Sequence, residues 1–260
     1  MKSQGIRVDS LGKVFLSKKG QAETLALDGV SLTVDPGQFF SVLGPSGCGK
    51  STLLRILGGL EKPSEGNVLL DGSRPADAQR AKQIGFVFQR SGLLPWKTVI
   101  QNIEVATHIN RGANRPAQHT IEELIGLVGL ERFSHAYPHQ LSGGMQQRVA
   151  IARALAIDPQ VLLMDEPFGA LDEITRHTMR YELLRIWERE KTTVVFVTHS
   201  ISEAVVLSDV VAVLSPIPGR IRGIVKIALD RPRTREVERS PKFLRYCDQL
   251  TDLLKVEPGS

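Results

Sequence analysis

The chain has 260 residues, of which 42% are hydrophobic and 23% are charged. This composition excludes disordered and fibrous proteins and is sufficient for a sizeable core, and the length favours one large α/β domain with a smaller insert over a tandem array of large modules. Lys and Arg outnumber Asp and Glu by 33 to 28, a net charge of +5, which is typical of an ordinary basic surface and leaves nucleic acid or an anionic membrane face open as partners.

The first quarter of the chain predicts a mostly antiparallel sheet. Apolar and polar residues alternate over 6–15 and again over 25–34, which is the strand period. After a turn at residues 35–37, the apolar run 38–43 predicts a short buried strand that leads into a glycine-rich segment. A helix is predicted to follow over 50–57.

Helical spacing dominates the middle of the chain, from about residue 93 to 155, and predicts a helical insert. Its clearest apolar stripe comprises Ile121, Leu124, Ile125 and Val128. Strands are predicted on both sides of the insert and alternate with helices after it, which indicates a parallel sheet. The predicted strands are 67–70, 84–88, 161–164, 192–198 and 210–214, and the helices after the insert are 173–189 and 202–207.

A last helix is predicted to begin at Ser240 and Pro241, a favourable pair for the N-cap and the first helical position. Its apolar residues fall on one face, which is expected to pack against the core or a partner. They are Phe243, Cys247, Leu250 and Leu254. The longest apolar runs of the chain fall far short of the roughly 20 residues that span a bilayer, and residues 1–15 lack a signal-peptide pattern. We therefore expect a non-integral protein that stays in the cytoplasm.

Residues 44–51 fit the phosphate-binding pattern G-x-x-x-x-G-K-S/T, between a predicted strand and a predicted helix. Glycines let backbone N–H groups converge on phosphates, and the helix N-terminus adds its positive end. Lys50 is expected to bind the β- and γ-phosphate oxygens, and the Ser51 hydroxyl to bind Mg²⁺. The predicted nucleotide contacts are Gly44, Pro45, Ser46, Gly47, Cys48, Gly49, Lys50, Ser51 and Thr52.

The two cysteines, Cys48 and Cys247, have no metal-ligand spacing and indicate a reducing compartment. Cys48 lies inside the phosphate loop, where it either fills a variable position or, if exposed, has a pKa lowered by the helix dipole and Lys50. In the second case, alkylation of the thiol would block nucleotide binding.

Two further segments carry groups suited to a nucleotide. The apolar run 161–164 delivers Asp165 and Glu166 to the carboxyl end of a predicted strand, where Asp165 is placed to hold Mg²⁺ and Glu166 to polarise an attacking water. Ser142, Gly143 and Gly144 begin a predicted helix and form a second anion site. Because one nucleotide has one γ-phosphate, a second site makes sense if it serves the nucleotide of another subunit.

With these segments the chain resembles the ATP-binding cassette (ABC) family of ATPases. The motifs, in order, are GPSGCGKST, Gln89 after FVF, LSGGMQQR, VLLMDEP, GALD at 169–172, and Thr198-His199. The resemblance implies an α/β P-loop NTPase with a RecA-like core, an N-terminal antiparallel β subdomain and a helical insert that carries the signature motif. The implied domains are an ABC ATPase domain over 1–230, with its insert at about 90–158, and a C-terminal helical tail over 231–260.

The resemblance also implies a head-to-tail homodimer that holds two ATP molecules, each between the phosphate loop of one subunit and the LSGG segment of the other. Glu166 is implied as the base, Gln89 as a link to Mg²⁺ or water, and His199 as a γ-phosphate sensor. The implied metal ligands are Ser51, Gln89 and Asp165, and the implied contacts to a companion's nucleotide are Ser142, Gly143, Gly144, Gln146 and Asp172. Phe15 resembles the aromatic residue that stacks on adenine, with a core position as the alternative, and His199 alone is equally typical of a plain strand end.

Within the family, QRSGLLPWKTVIQNI, DEPFGALDEITR and LSPIPGRI resemble importer ATPases for nitrate, sulfonate and taurine. The implied partners are two membrane permease subunits and, through them, a solute-binding protein, with the chain peripheral on the cytoplasmic face of the inner membrane. Trp96 either lines the groove for a permease helix or packs internally.

The rival class is an ABC ATPase that acts on nucleic acid or ribosomes, and a third is a cassette that binds ATP without hydrolysing it. Ser142 stands 98 residues after Gly44 with no heptads between them, which disfavours the long coiled coil of chromosome and repair members, and ribosomal members carry two cassettes. Glu166 and His199 disfavour the third class. We therefore expect no nucleic-acid partner.

Overall fold

The structure, a computed structural model, describes residues 5–16 and 23–255 of the chain. It divides into two units. Unit 1 comprises the described residues up to Asp77 and those from Thr193 onward, and unit 2 comprises residues 78–192. The predicted boundary at residue 230, between an ATPase domain and a tail, stays a prediction.

The strands and helices begin and end close to the predicted positions. Within the described residues, the strands are β1 (Ile6–Phe15), β2 (Thr24–Val34), β3 (Phe39–Leu43), β4 (Glu65–Leu70), β5 (Ile84–Val87), β6 (Val161–Asp165), β7 (Thr193–Thr198), β8 (Val210–Leu214) and β9 (Ile221–Lys226). The α-helices are α1 (Lys50–Leu57), α2 (Pro75–Arg80), α3 (Val99–His108), α4 (Ile121–Leu127), α5 (Gly143–Leu155), α6 (Glu173–Glu190), α7 (Ile201–Leu207) and α8 (Pro241–Leu254). β1, α1 and β8 have the predicted bounds, and the other strands and helices whose ranges were predicted differ by a residue or two.

In unit 1, the first sheet has the strand order β2-β1-β4, and both of its pairings are antiparallel. This confirms the prediction for the N-terminal part of the chain. Alternate residues of its strands are buried, among them Ile6, Val8, Leu32 and Val34. One face of the sheet therefore packs on the core of unit 1 while the other meets solvent, as antiparallel sheets commonly do.

The other strands of unit 1 lie side by side with β3 at their centre. Strand β3 lies between β7 and β8 and is parallel to both, while β9 pairs with β8 in the antiparallel direction. All residues of β3, β7 and β8 are buried, which is typical of parallel strands that are covered on both faces. The rings of Phe39 and Phe196 lie 5.8 Å apart between their centroids. The carboxyl end of β3 is therefore a fixed starting point for the loop that follows.

Unit 2 combines a parallel strand pair with a helical layer. β5 and β6 pair in register from Ile84 opposite Val161 to Val87 opposite Met164. The helices α3, α4 and α5 pack on one another, and capping boxes begin α3 and α4. The predicted insert is helical in these stretches. Of its predicted apolar stripe, Leu124, Ile125 and Val128 are buried and Ile121 is half-buried.

The C-terminal helix α8 begins as predicted, with Ser240 as the N-cap and Pro241 at the first position. Phe243 and Leu250 are buried, and α8 packs on α7 and β8 within unit 1. Burial raises the pKa of the Cys247 thiol to about 11, and neighbouring carboxylates add to the shift. The apolar face of this helix therefore packs on unit 1. No helix in the described part of the chain is long and apolar enough to cross a bilayer.

Residues 231–239, before α8, include four arginines, and one of them lies in the interior of unit 1. Arg233 is 4% exposed. Its Nη1 donates to the carbonyl oxygens of Val205, Val206 and Ser208 at 2.8 to 3.1 Å. Its Nη2 donates to two carbonyl oxygens of the segment after β9. Because the last carbonyls of a helix have no partner within the helix, this guanidinium completes the end of α7.

We predict that Arg233→Met lowers the free energy of unfolding by about 3 kcal/mol, because buried carbonyl oxygens lose their donor. Arg235→Met replaces an exposed arginine of the same segment and is expected to change it by less than about 0.5 kcal/mol. Urea unfolding followed by circular dichroism measures both values. Equal stability of the two variants would contradict the structural role of Arg233.

Candidate nucleotide-binding site

The loop between β3 and α1 has a backbone that requires glycine. Gly47 and Gly49 have φ of +80° and +100°, where residues with a Cβ are strained. A Cβ at Gly49 would also lie 2.7 Å from the carbonyl oxygen of Ala26. This loop conformation therefore requires glycine at both positions. The loop leads directly into the first turn of α1.

The N-terminus of α1 is rich in donors and positive charge. No side chain caps it, and no acidic residue stands in its first turn, so its N–H groups and helix dipole favour an anion. Lys50 is 4% exposed, and its Nζ donates to the carbonyl oxygens of Gly44 and Pro45, each at 2.8 Å. These contacts hold the ammonium at the loop. Backbone N–H groups, an ammonium and the Ser51 hydroxyl together fit a polyphosphate.

Cys48 faces the interior of unit 1. It is 1% exposed, and its Sγ lies 2.7 Å from the place that a Cβ would take at Gly44. The thiol therefore packs under the loop, and its volume explains why residue 44 is glycine. The alternative of an exposed, reactive thiol is wrong, because an alkylating reagent has no access to this sulfur.

His199 leaves the sheet beside the phosphate loop. β7 pairs with β3 in parallel, with Thr198 opposite Leu43, so His199 and Gly44 each follow the paired residue at the same edge. His199 is exposed. The register thus brings the predicted γ-phosphate sensor to the strand next to the predicted phosphate loop, within one unit.

A buried carboxylate that sequence analysis missed braces the backbone around His199. Thr198 Oγ1 donates to Glu203 Oε2 at 2.5 Å and accepts from the backbone N–H of Ser200 at 2.9 Å. Ser200 caps α7, with its Oγ accepting from the Glu203 N–H at 3.4 Å. The three-residue spacing from Ser200 to Glu203 is that of a capping box. This sequence signal would have identified Glu203 as a residue at the start of α7.

Phe15 stands at the end of β1 and is 40% exposed. The Nζ of Lys13 lies 4.8 Å from the centroid of its ring. The alternative of a core position for Phe15 is therefore wrong. Residues 17–22, which follow shortly after Phe15, lie outside the described residues. Stacking of Phe15 on adenine stays a prediction.

In unit 2, the end of β6 presents Asp165 and Glu166, both half-buried. Glu166 has a φ of +43°, and its carbonyl oxygen accepts from the N–H of Gly169 at 3.0 Å. A Cβ at Gly169 would lie 3.2 Å from Gln89 Nε2 and 3.7 Å from Glu166 Oε2. Two of the predicted catalytic side chains, Gln89 and Glu166, thus border the same small space.

The predicted second anion site lies at the start of α5. Ser142 caps this helix, with its Oγ accepting from the Met145 N–H at 3.3 Å, as predicted. Ser142 and Gly143 are exposed, whereas Gly144 is buried against α6, where a Cβ would lie 2.8 Å from Thr175 Cγ2. Gly144 thus permits close helix packing, and the exposed tip of α5 comprises Ser142 and Gly143.

Two other predicted nucleotide contacts have partners inside unit 2. Asp172 caps α6, and hydrogen bonds from Thr175 hold the pKa of its carboxyl below the usual value. Gln146 Nε2 donates to the carbonyl oxygen of Pro138 at 2.9 Å, and its Oε1 accepts from Ser91 Oγ at 3.3 Å. These contacts orient both side chains. Their binding of a companion's nucleotide stays a prediction.

The chain is similar to proteins of one family along nearly all of its length. A family model described as ABC transporter matches residues 27–169, more than half of the chain. An uncharacterized ABC transporter ATP-binding protein of Methanocaldococcus jannaschii is 49% identical, over 97% of this chain and 92% of that protein. A nitrate import ATP-binding protein of Synechocystis is 41% identical, over 96% and 95%. An aliphatic sulfonates import ATP-binding protein of Bacillus cereus is 42% identical, over 90% of each.

Two solved structures are also similar to this chain. The dimeric structure of a bacterial ABC transporter cassette has a TM-score of 0.73 and 37% identity, covering 86% of this chain and all of that one. A dimeric post-hydrolysis state of an ATP-binding cassette, bound to ADP and phosphate, has a TM-score of 0.72 and 36% identity over the same shares. The predicted α/β P-loop NTPase fold is confirmed. With the phosphate loop of unit 1 and the two carboxylates of unit 2, these matches show that the chain belongs to the ABC transporter family, as an ATP-hydrolysing cassette.

Proposed function

We propose that this cassette energises the import of a small solute such as nitrate, a sulfonate or taurine. The relatives named for nitrate import and for sulfonate import each match nine tenths or more of this chain. The observation that carries the ATPase part is the loop 44–49, which joins a buried strand to an uncapped helix N-terminus. ATP hydrolysis supplies the energy, and the transported solute is bound by other subunits.

In the proposed reaction, the oxygen of a water molecule bonds to the γ-phosphorus while the bond to the β–γ bridging oxygen breaks, which gives ADP and inorganic phosphate. The Glu166 carboxylate accepts a proton from the water, and the Gln89 carboxamide orients it. Lys50 and the N–H groups of α1 bind the β- and γ-phosphates, and His199 contacts the γ-phosphate. Glu166 thus accepts a proton, Gln89 positions the water, and the remaining groups stabilise negative charge on the phosphates.

Ser51, Gln89 and Asp165 are the residues proposed to hold Mg²⁺. Among residues 5–16 and 23–255, no group of three or more His, Cys, Asp or Glu side chains could hold a metal ion. The proposed donors are one carboxylate, one carboxamide oxygen and one hydroxyl oxygen, which fits Mg²⁺, a cation commonly bound through one or two carboxylates, phosphate oxygens and water. When bound, Mg²⁺ neutralises negative charge on the phosphate oxygens.

The tip of α5 is proposed to bind the ATP of a second copy of the chain, in a homodimer. Ser142 and Gly143 are exposed there. The Ser142 Oγ accepts a backbone N–H in the helix cap, and a hydroxyl that accepts one bond still has its O–H to donate to a phosphate oxygen. Gly144, Gln146 and Asp172 complete the proposed contact. The similar cassettes in solved structures are dimeric, which supports this arrangement.

An apolar groove of about 430 Å³ in unit 2 is proposed to receive a helix of a permease subunit. Its lining includes Phe86, Phe88, Val105 and Ile109, of which Phe88 and Ile109 are exposed. Trp96 is 70% exposed, so the alternative of internal packing is wrong. It is not among the residues that line this groove, and its contact with a permease helix stays a prediction. Two permease subunits would hold the cassettes at the cytoplasmic face of the inner membrane, with a solute-binding protein contacting the permeases.

Removal of the proposed base should separate ATP binding from hydrolysis. We predict that Glu166→Gln lowers kcat at least about 100-fold, because the water loses its proton acceptor. With MgATP, this variant should elute as a dimer in size-exclusion chromatography, whereas Lys50→Ala, which lacks the phosphate-binding ammonium, should stay monomeric. A Glu166→Gln variant that hydrolyses ATP at the wild-type rate would exclude Glu166 as the base.

A methyl group added at Gly169 is expected to displace the Gln89 carboxamide by a few tenths of an ångström, because a Cβ there would lie 3.2 Å from Nε2. We predict that Gly169→Ala lowers kcat about tenfold, because its Cβ displaces the Gln89 carboxamide. The affinity for ATP should not change, since the phosphate loop is untouched. The control is Gly112→Ala, where a Cβ meets nothing within 4 Å. Steady-state ATPase assays measure kcat for both variants, and wild-type activity of Gly169→Ala would contradict the placement of Gln89.

The solute is tested by uptake. In cells that lack this chain and keep its permease, we predict that the wild-type chain restores uptake of labelled nitrate, an alkanesulfonate or taurine, and that Glu166→Gln restores none. Equal expression of the two chains is verified by immunoblot. Failure of the wild-type chain to restore any of these solutes would contradict the import proposal, while purified ATPase activity would be unaffected by that result.

A further inference from the structure

The segment that carries Gln89 is held on both sides by the helix α5. Before Gln89, the carbonyl oxygen of Phe88 accepts from Gln147 Nε2 at 3.5 Å. After it, the Ser91 Oγ donates to Gln146 Oε1 at 3.3 Å. The shortest contacts come from Arg153, near the other end of the same helix.

The guanidinium of Arg153 binds two consecutive peptide groups. Its Nη2 donates to the carbonyl oxygen of Ser91 at 2.6 Å, and its Nη1 donates to that of Gly92 at 2.8 Å. Gly92 has a φ of +56°, a conformation that glycine adopts without strain. Burial lowers the pKa of Arg153, and a partly buried charge strengthens such hydrogen bonds. Both carbonyl oxygens are therefore fixed by one planar, two-pronged donor.

The segment that Arg153 holds lies next to a predicted catalytic side chain. Gln89 stands two residues before Ser91, and its Nε2 lies beside Gly169 in the space that Glu166 Oε2 also borders. We propose that Arg153 is a positioning residue for Gln89: by fixing the peptides of Ser91 and Gly92 to α5, it sets where the Gln89 carboxamide lies relative to Glu166. This inference rests on the role of Gln89 in the proposed function.

The test compares Arg153→Met with a matched control in the same unit. Arg185 is also an arginine that donates to a backbone carbonyl oxygen, that of Leu127 at 2.7 Å, and Arg185→Met leaves the Gln89 segment intact. We expect Arg153→Met to lower kcat about tenfold, because the carboxamide is misplaced, with KM for ATP changed less than about twofold. Hydrogen exchange at residues 90–93 should quicken in Arg153→Met and not in Arg185→Met.

The conservative variant Arg153→Lys is expected to recover part of the lost kcat, because an ammonium binds one carbonyl oxygen without the planar fork. If Arg153→Met does not fold, which thermal unfolding will show, Arg153→Lys replaces it in every comparison. A kcat within twofold of wild type in the Arg153 variant, or an equal loss in Arg185→Met, would overturn the proposal.

A double-mutant cycle with Gln89→Ala separates the proposal from the function on which it rests. If Arg153 acts through Gln89, the double variant should be no slower than Gln89→Ala alone. Multiplied losses would overturn the positioning role and leave the proposed function standing. A wild-type kcat of Gln89→Ala would overturn the assigned role of Gln89 itself, and the positioning role with it.

Discussion

The phosphate loop depends on one constraint: it joins a strand that is buried on both faces to a helix whose first N–H groups have no side-chain cap. Uncapped N–H groups and a buried ammonium are costly unless polar partners satisfy them. Gly44 and Pro45 supply carbonyl oxygens to Lys50, and the left-handed glycines let the chain turn back around the helix end. The burial of β3 between β7 and β8 keeps this arrangement in place, and the same pairing sets His199 beside it.

In unit 2, the backbone is strained at the proposed base, Glu166, and the side chains around it are closely packed. Glu166 is a non-glycine residue at φ +43°, a conformation that costs roughly 1 kcal/mol for residues with a Cβ. The hydrogen bond from Gly169 to its carbonyl oxygen closes the turn, and the absence of a side chain at Gly169 leaves the space that Gln89 and Glu166 border. Such local strain is typical of functional sites, where the surrounding packing over-determines the backbone.

The sequence was sufficient wherever the signal is local. Strand and helix periods located β3, α1 and β8, and single side chains identified the caps Ser142 and Ser240. It was insufficient where distant segments meet. Arg233 belongs to the predicted C-terminal tail over 231–260, yet it lies in the interior, where its guanidinium donates to carbonyl oxygens at the end of α7. The direction of the Cys48 side chain, and the internal partners of Gln146, likewise depend on tertiary packing that no local pattern encodes.

One helix joins two nucleotide contacts that the proposed dimer would use at different sites. α5 runs from the exposed Ser142 and Gly143 to Arg153, about 16 Å along its axis at 1.5 Å per residue, and it is fastened to the Gln89 segment along this length. A shift of its tip toward a companion's ATP would therefore move the peptides next to Gln89 as well. Because Gly92 and Arg153 also line the apolar groove of unit 2, a permease helix bound there would contact the two residues that a hydrogen bond joins. The chain thus has a physical link through which both partners would act on the proposed hydrolytic water.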